Sequence, residues 1–165
     1  MSEQEKSLTM TVLMTPDMAN FSGNVHGGSL LKLLDQVAYA CAAKYSKSYV
    51  VTIALDQVFF TQKVRVGELV TFFAHINYVG DSSMEVGIRV VAEDLRSREK
   101  RHTTSCYFTM VAIDDAGNAK PVPPLELKTD VEKKLFEAGA KRKEIRKQNL
   151  EKIQELHVDI TQGDL

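Results

Sequence analysis

The chain has little of what usually assigns a protein to a class. Its 165 residues carry no dominant charge: 21 basic and 22 acidic side chains leave a formal net charge of −1. That removes the general positive field on which nucleic-acid binding depends, and neither a helix-turn-helix segment nor a basic arm is present, so no nucleic-acid partner is expected. Cysteine is scarce. Cys41 and Cys106 lie far apart, no CxxC pair exists, and no Cys/His cluster has zinc spacing. Reduced, buried thiols are expected, with no metal. The charged opening Met1–Lys6 lacks the apolar stretch of a secretory signal. No apolar run reaches bilayer-spanning length, and the expectation is a cytoplasmic protein with no membrane partner. The glycine spacing of a dinucleotide fingerprint is missing, as is the Lys–Ser/Thr of a phosphate loop. There is no internal repeat and no low-complexity segment.

What remains is a chain with 44% hydrophobic residues, long enough for one real core. Residues 8–14 alternate and predict a first strand, closed by Pro16. Residues 15–25 read as a loop. Residues 26–45 predict the principal helix: its apolar surface, from Leu30 to Ala42, is too wide for a helix lying on the outside, and only Lys32, Asp35, Gln36 and Tyr39 form a polar strip. Strand patterns follow at 49–60, 68–79, 83–92 and 101–113, separated by Gly- and Asp-rich turns. Strand, helix, then strands at meander spacing predict an α+β fold, a long antiparallel sheet wrapped around a buried helix. After Pro121, Pro123 and Pro124, the run Thr129 to Glu132 is a capping box. A charged helix is expected over 130–156, weakened at Gly139. Its charges read as a solvated face, or else the helix serves packing or assembly through Val131, Leu135, Ile145, Leu150 and Ile153.

The informative stretch is Ala19 to Asp35. A polar loop ends in Gly27 and Gly28, which let the backbone approach another group closely. A helix beginning there points unpaired N–H groups forward. Asp35 follows on an otherwise oily helix. Donors for an oxyanion plus one placed carboxylate are the minimum kit for hydrolysing an acyl compound. Taken alone, Asp35 is equally an ion-pair partner of Lys32, Asn20 a turn residue and the glycines a packing device.

Asn20, Gly23, His26, Gly27 and Gly28, with Asp35 beyond them, resemble the hotdog-fold acyl-CoA thioesterases of the cytosolic acyl-CoA hydrolase family. The runs Val51–Phe60, Val66–Val70, Gly80–Met84 and Tyr107–Ala112 agree with it. The likeness spans roughly residues 8–125, and the chain divides into a thioesterase domain, 5–125, and a C-terminal helical extension, 126–165. The resemblance implies a hotdog fold and a dimer whose sheets join edge to edge, built into a trimer of dimers, a homohexamer. It implies sites at the subunit interface, where Asn20 and Asp35 come from different subunits.

On that footing Asp35 is the candidate base, or less directly the nucleophile, and Asn20 orients water or carbonyl. Gly27 and Gly28 offer backbone N–H groups to the thioester oxygen. The reading requires Asp35 to be dried against Leu31, Leu34 and Ala38. The substrate is a fatty acyl-CoA, so coenzyme A is part of the substrate and no separate cofactor is implied. Candidate contacts for it are His26, Ser82 and Ser83, and the basic patch around Arg96 and Arg98. Two other readings stay open: an enoyl-thioester hydratase or dehydratase using His26, and a non-catalytic acyl-CoA sensor.

Overall fold

The computed structural model describes residues 3–159, so the end of the expected 126–165 extension lies outside the described residues. Alternation of the first strand produces β1, Ser7–Leu13, with every second residue half-buried. The principal helix α1 runs Gly27–Ser46. Four strands follow: β2, Tyr49–Leu55; β3, Leu69–Val79; β4, Ser83–Glu93; and β5, Lys100–Ile113. A last helix, α2, spans Asp130–Glu155. The strands form one antiparallel sheet in the order β1-β3-β4-β5-β2, with β1 and β2 at its edges.

The inward-facing set Val70, Phe72, Ile76, Val86, Val90, Phe108 and Met110 closes on Leu34, Val37, Ala38 and Cys41 of α1. This is the hotdog arrangement that the apolar width of α1 requires, because a helix apolar on most sides must be wrapped rather than merely covered. Both cysteines are buried free thiols, each pushed up to about 12 by burial. Among the described residues no helix is long and apolar enough to cross a membrane.

Three expectations are corrected. The second strand ends at Leu55 rather than at residue 60. Its register slips between Thr52 and Ala54; Asp56, a poor strand former, makes a last N–H bond to the Tyr107 carbonyl of β5 while its carboxylate turns to Arg146. Helix α2 is not weakened at Gly139. That glycine is buried within the continuous helix, and a Cβ there would stand 2.6 Å from the Cβ of Tyr78. The missing side chain is what lets the helix approach the sheet.

The contacts of α2 also differ. Val131, Ile145, Leu150 and Ile153 are exposed, while Phe136, Gly139, Arg142 and Arg146 do the packing. Phe136 stacks on Tyr78 at 4.8 Å between centroids. Arg142 lies 3.8 Å over the Tyr107 ring and donates from Nε and Nη2 to Glu85. Arg146 forks onto Asp56 at 2.6 and 3.0 Å. Glu85 is only 3% exposed, so its charge is held by these two arginines and by Asn77.

The capping box is present. Thr129 Oγ1 accepts from the Glu132 N–H, and Glu132 accepts from the N–H groups of Thr129 and Lys128. Lys6, arriving from the N-terminal strap, donates to Glu132 and to the Glu126 carbonyl. The Lys6 bond, followed by the Lys128 N–H, holds the Glu132 carboxyl down to about 2.

Arg142→Ala leaves Glu85 buried with part of its compensation gone and should cost about 3 kcal/mol in urea unfolding. Lys133→Ala, which breaks only an exposed helix pair, should stay within ~0.5 kcal/mol. Glu132 titrates lower in the folded chain than in the unfolded one, so its stabilisation is complete above the ordinary carboxylate range and fades as pH falls toward about 2. Unfolding free energies of Glu132→Gln should therefore fall less steeply with acid than those of the parent chain.

Candidate active site

The loop before α1 is built by its own side chains. Asn20 Oδ1 accepts from Ser22 N–H at 3.0 Å, Ser22 Oγ at 2.8 Å and Asn24 N–H at 3.1 Å. Its carbonyl oxygen is thereby saturated, and what Asn20 can still offer is the two N–H bonds of Nδ2. The loop is tied down by Val25 N–H to the Val64 carbonyl and His26 N–H to that of Met18.

His26 is the N-cap of α1. Its Nδ1 accepts from Gly28 N–H at 3.0 Å, which fixes the lone pair on Nδ1 and directs this nitrogen to the first turn of the helix. Ser29 and Leu30 N–H groups bond the His26 carbonyl. Gly28 is therefore already committed, and Gly27 is the glycine whose N–H is left at the helix start. The ring of Phe60 lies beside it, 3.7 Å from where a Gly27 Cβ would stand.

Asp35 sits two turns further along. Leu34 and Ala38 are fully buried and face the sheet, whereas Asp35 faces outward with Gln36. The expected drying by Leu34 and Ala38 is thus absent from the protomer, because successive helix residues point about a quarter-turn apart. Thr52 of β2 meets the acid instead: its Oγ1 donates to Asp35 Oδ1 at 2.6 Å. A hydroxyl has one proton to give, and the charged acceptor is the stronger partner. One oxygen of Asp35 is pinned and the other is open. Sequence reading passed over Thr52, because a threonine in a strand needs no explanation beyond β propensity.

The remaining candidates separate. Ser82 and Ser83 form the turn from β3 to β4, where the Ser83 carbonyl accepts from Gly80 N–H and the Ser82 carbonyl from Ala112 N–H. The ammonium of Lys143, from α2, comes up against this turn. Arg96 and Arg98 are exposed in the turn from β4 to β5. The two turns are the opposite ends of β4, an 11-residue strand, roughly 35 Å apart. Thr52 belongs to the serine end, since it pairs with Met110, which pairs with Met84. Nor do Asn20 and Asp35 meet. Within the protomer the side-chain partners of Asn20 are Ser22 and Asn24, and that of Asp35 is Thr52.

Comparison with known proteins bears on this geometry. Residues 22–98 match the thioesterase superfamily. Protein VdlD of Helicobacter pylori is 50% identical over 139 residues, which cover 84% of this chain and 79% of that protein. A hexameric acyl-CoA thioesterase solved without ligand superposes with a TM-score of 0.84 at 36% identity, over 88% of this chain and 94% of that one. The acyl-CoA hydrolase of Staphylococcus aureus, solved with butyryl coenzyme A and coenzyme A, gives 0.82 at 30% identity over 92% and 93%. That hydrolase has also been solved with one aspartate, one asparagine and one threonine each changed to alanine. The three positions are separated by the same two intervals as Asn20, Asp35 and Thr52.

The cap has a measurable weight. His26→Ala leaves the Gly28 N–H without its partner and should lower unfolding free energy by about 1 kcal/mol. His26→Asn, which keeps a capping acceptor, should recover most of it in the same denaturant titration.

Proposed function

We propose that this chain, which belongs to the thioesterase superfamily, hydrolyses fatty acyl-CoA to the free acid and coenzyme A, at sites shared between two copies of itself. The observation that carries the reading is the Asp35–Thr52 pair. An oriented carboxylate with one free oxygen stands on the exposed side of the buried helix, held by a hydroxyl of the strand that ends the sheet.

Thr52 holds the carboxylate while its free oxygen takes a proton from water, and that water attacks the thioester carbonyl. The Gly27 N–H, at the positive end of α1, suits the oxygen on which charge develops. Asn20 from the neighbouring copy contributes through Nδ2 alone, because its oxygen is already occupied by the loop. It therefore donates to the carbonyl oxygen or to a lone pair of the water, and does not accept the proton that Asp35 removes. Collapse of the tetrahedral intermediate breaks the C–S bond. Coenzyme A leaves as the thiolate, takes up the proton held on Asp35, and the acid is released with the carboxylate restored.

The protomer leaves Asp35 exposed, so drying must come from a second copy. β2 is an edge strand with Tyr49 at 63% and Ile53 at 61% exposure. Such an edge is an invitation to pair, and the two-fold junction of two β2 strands brings a second Asn20 loop within reach. For the coenzyme A phosphates, the Ser82–Ser83 turn with Lys143 begins one residue row from Thr52, at the same end of the sheet. Arg96 and Arg98, a strand's length away, can serve only the site of a neighbour. His26 is occupied as a cap, which favours hydrolysis over the enoyl-thioester reading.

A thiol-release assay over acyl-CoAs of several chain lengths tests the activity. Asp35→Asn should lower kcat by about 10²–10⁴ with KM little changed, and Asn20→Ala should cost less. Neither variant alone restores the other's function, but their mixture, unfolded and reassembled, should regain about a quarter of parental sites if each site takes one residue from each copy. A mixture no more active than its components places both residues on one chain.

A further inference from the structure

Phe21 has no part in this chemistry, yet it stands beside Asn20 and is 113% exposed, the most exposed large apolar side chain among the described residues. A single exposed phenylalanine on a loose loop would need no explanation. This loop is not loose. Besides the three bonds to Asn20 Oδ1, the Asn20 N–H donates to the Asn24 carbonyl at 2.7 Å, Ala19 bridges Val25, and Gly23 closes the turn at φ +80°. That left-handed conformation suits glycine. The loop thus presents the ring outward on a fixed mount, with no aromatic partner among the described residues.

A matching apolar surface lies on the uncovered strip of α1. Tyr39 follows Asp35 by one turn and meets Tyr49 of the β2 edge in an edge-on pair, ring centroids 6.0 Å apart at 68°. Tyr39 and Tyr49 are 39% and 63% exposed, and among the described residues neither ring has a further aromatic partner.

We infer that Phe21 of one copy docks on the Tyr39–Tyr49 pair of a second copy and so clamps its Asn20 loop over that copy's Asp35. The inference rests on the proposed sharing of the site. Adjacent Cα atoms are 3.80 Å apart, so an Asn20 amide delivered to Asp35 must bring Phe21 down within about one helical turn of it. One turn before Asp35 stand the half-buried Leu31 and the charged Lys32, neither of them aromatic, and one turn after it stands Tyr39, which shares its face. Only the second direction offers a phenyl ring an aromatic seat. A buried aromatic anchor ringed by weaker contacts is the usual form of an interface hot spot.

Sedimentation of the full chain over a range of concentrations tests this, with thiol release measured on the same samples. Phe21→Ala touches nothing in its own protomer, so circular dichroism and protomer unfolding should be unchanged. Self-association should weaken about 10- to 100-fold, with activity falling at low protein concentration and returning at high. Tyr39→Ala should weaken association similarly, and the double variant should be no worse than the more damaging single one. Phe21→Trp should restore association. Unaltered association in Phe21→Ala, or strictly additive losses in the double variant, overturns the docking. A parent assembly that releases no thiol overturns the hydrolase reading instead and leaves the association result intact.

Discussion

Everything in this molecule turns on how α1 is buried. A helix apolar on most of its surface has to be wrapped, and the sheet wraps it with the inner faces of its strands. The wrapping stops at β2, the last strand, and there a narrow strip of helix remains uncovered. Asp35 occupies that strip. Had the sheet closed further, the carboxylate would have been buried without a partner at high cost. Had it closed less, the apolar flank would lie open to water. The hydroxyl of Thr52, at the sheet's boundary, orients the acid without neutralising it.

The outer face of the sheet is organised by charge rather than by oil. Helix α2 looks from its composition like a solvated rod, and most of its length is that. It is fixed by Arg142 and Arg146, whose guanidinium groups satisfy Glu85 and Asp56, Arg142 also lying over the Tyr107 ring. Arginine suits this task because a planar fork can serve two carboxylate oxygens and an aromatic face together. The same helix anchors the chain where β2 ends: Arg146 holds the Asp56 carboxylate, and the segment beyond it brings Phe60 beside Gly27.

On the proposed reading of a shared site, the protomer is chemically a half. Asn20 and Asp35 each have only local partners, the acid stands in water, and two aromatic surfaces, Phe21 and the Tyr39–Tyr49 pair, face outward without cover. Each of these is a cost in isolation and a complement when two copies face each other. The saturated oxygen of Asn20 also limits what the second copy can bring, a donor rather than a base.

The order and nature of the elements, the wrapped helix, the cap at Thr129 and the Asn20 to Asp35 motif were legible in the sequence, because periodicity, turn chemistry and helix caps act over a few residues. Thr52 was not, because its meaning lies in a hydrogen bond to a helix that only the closed sheet brings beside it. Gly139, Arg142 and Arg146 were hidden for the same reason: spacing along α2 shows a face, and only the packed structure shows what that face meets. Tertiary structure also divided Ser82 and Ser83 from Arg96 and Arg98, since charge composition has no distance in it and an 11-residue strand does. Sequence by itself determined which local structures form and which groups could do chemistry. The fold decided which of those groups share a place, because that depends on contacts between residues far apart along the chain.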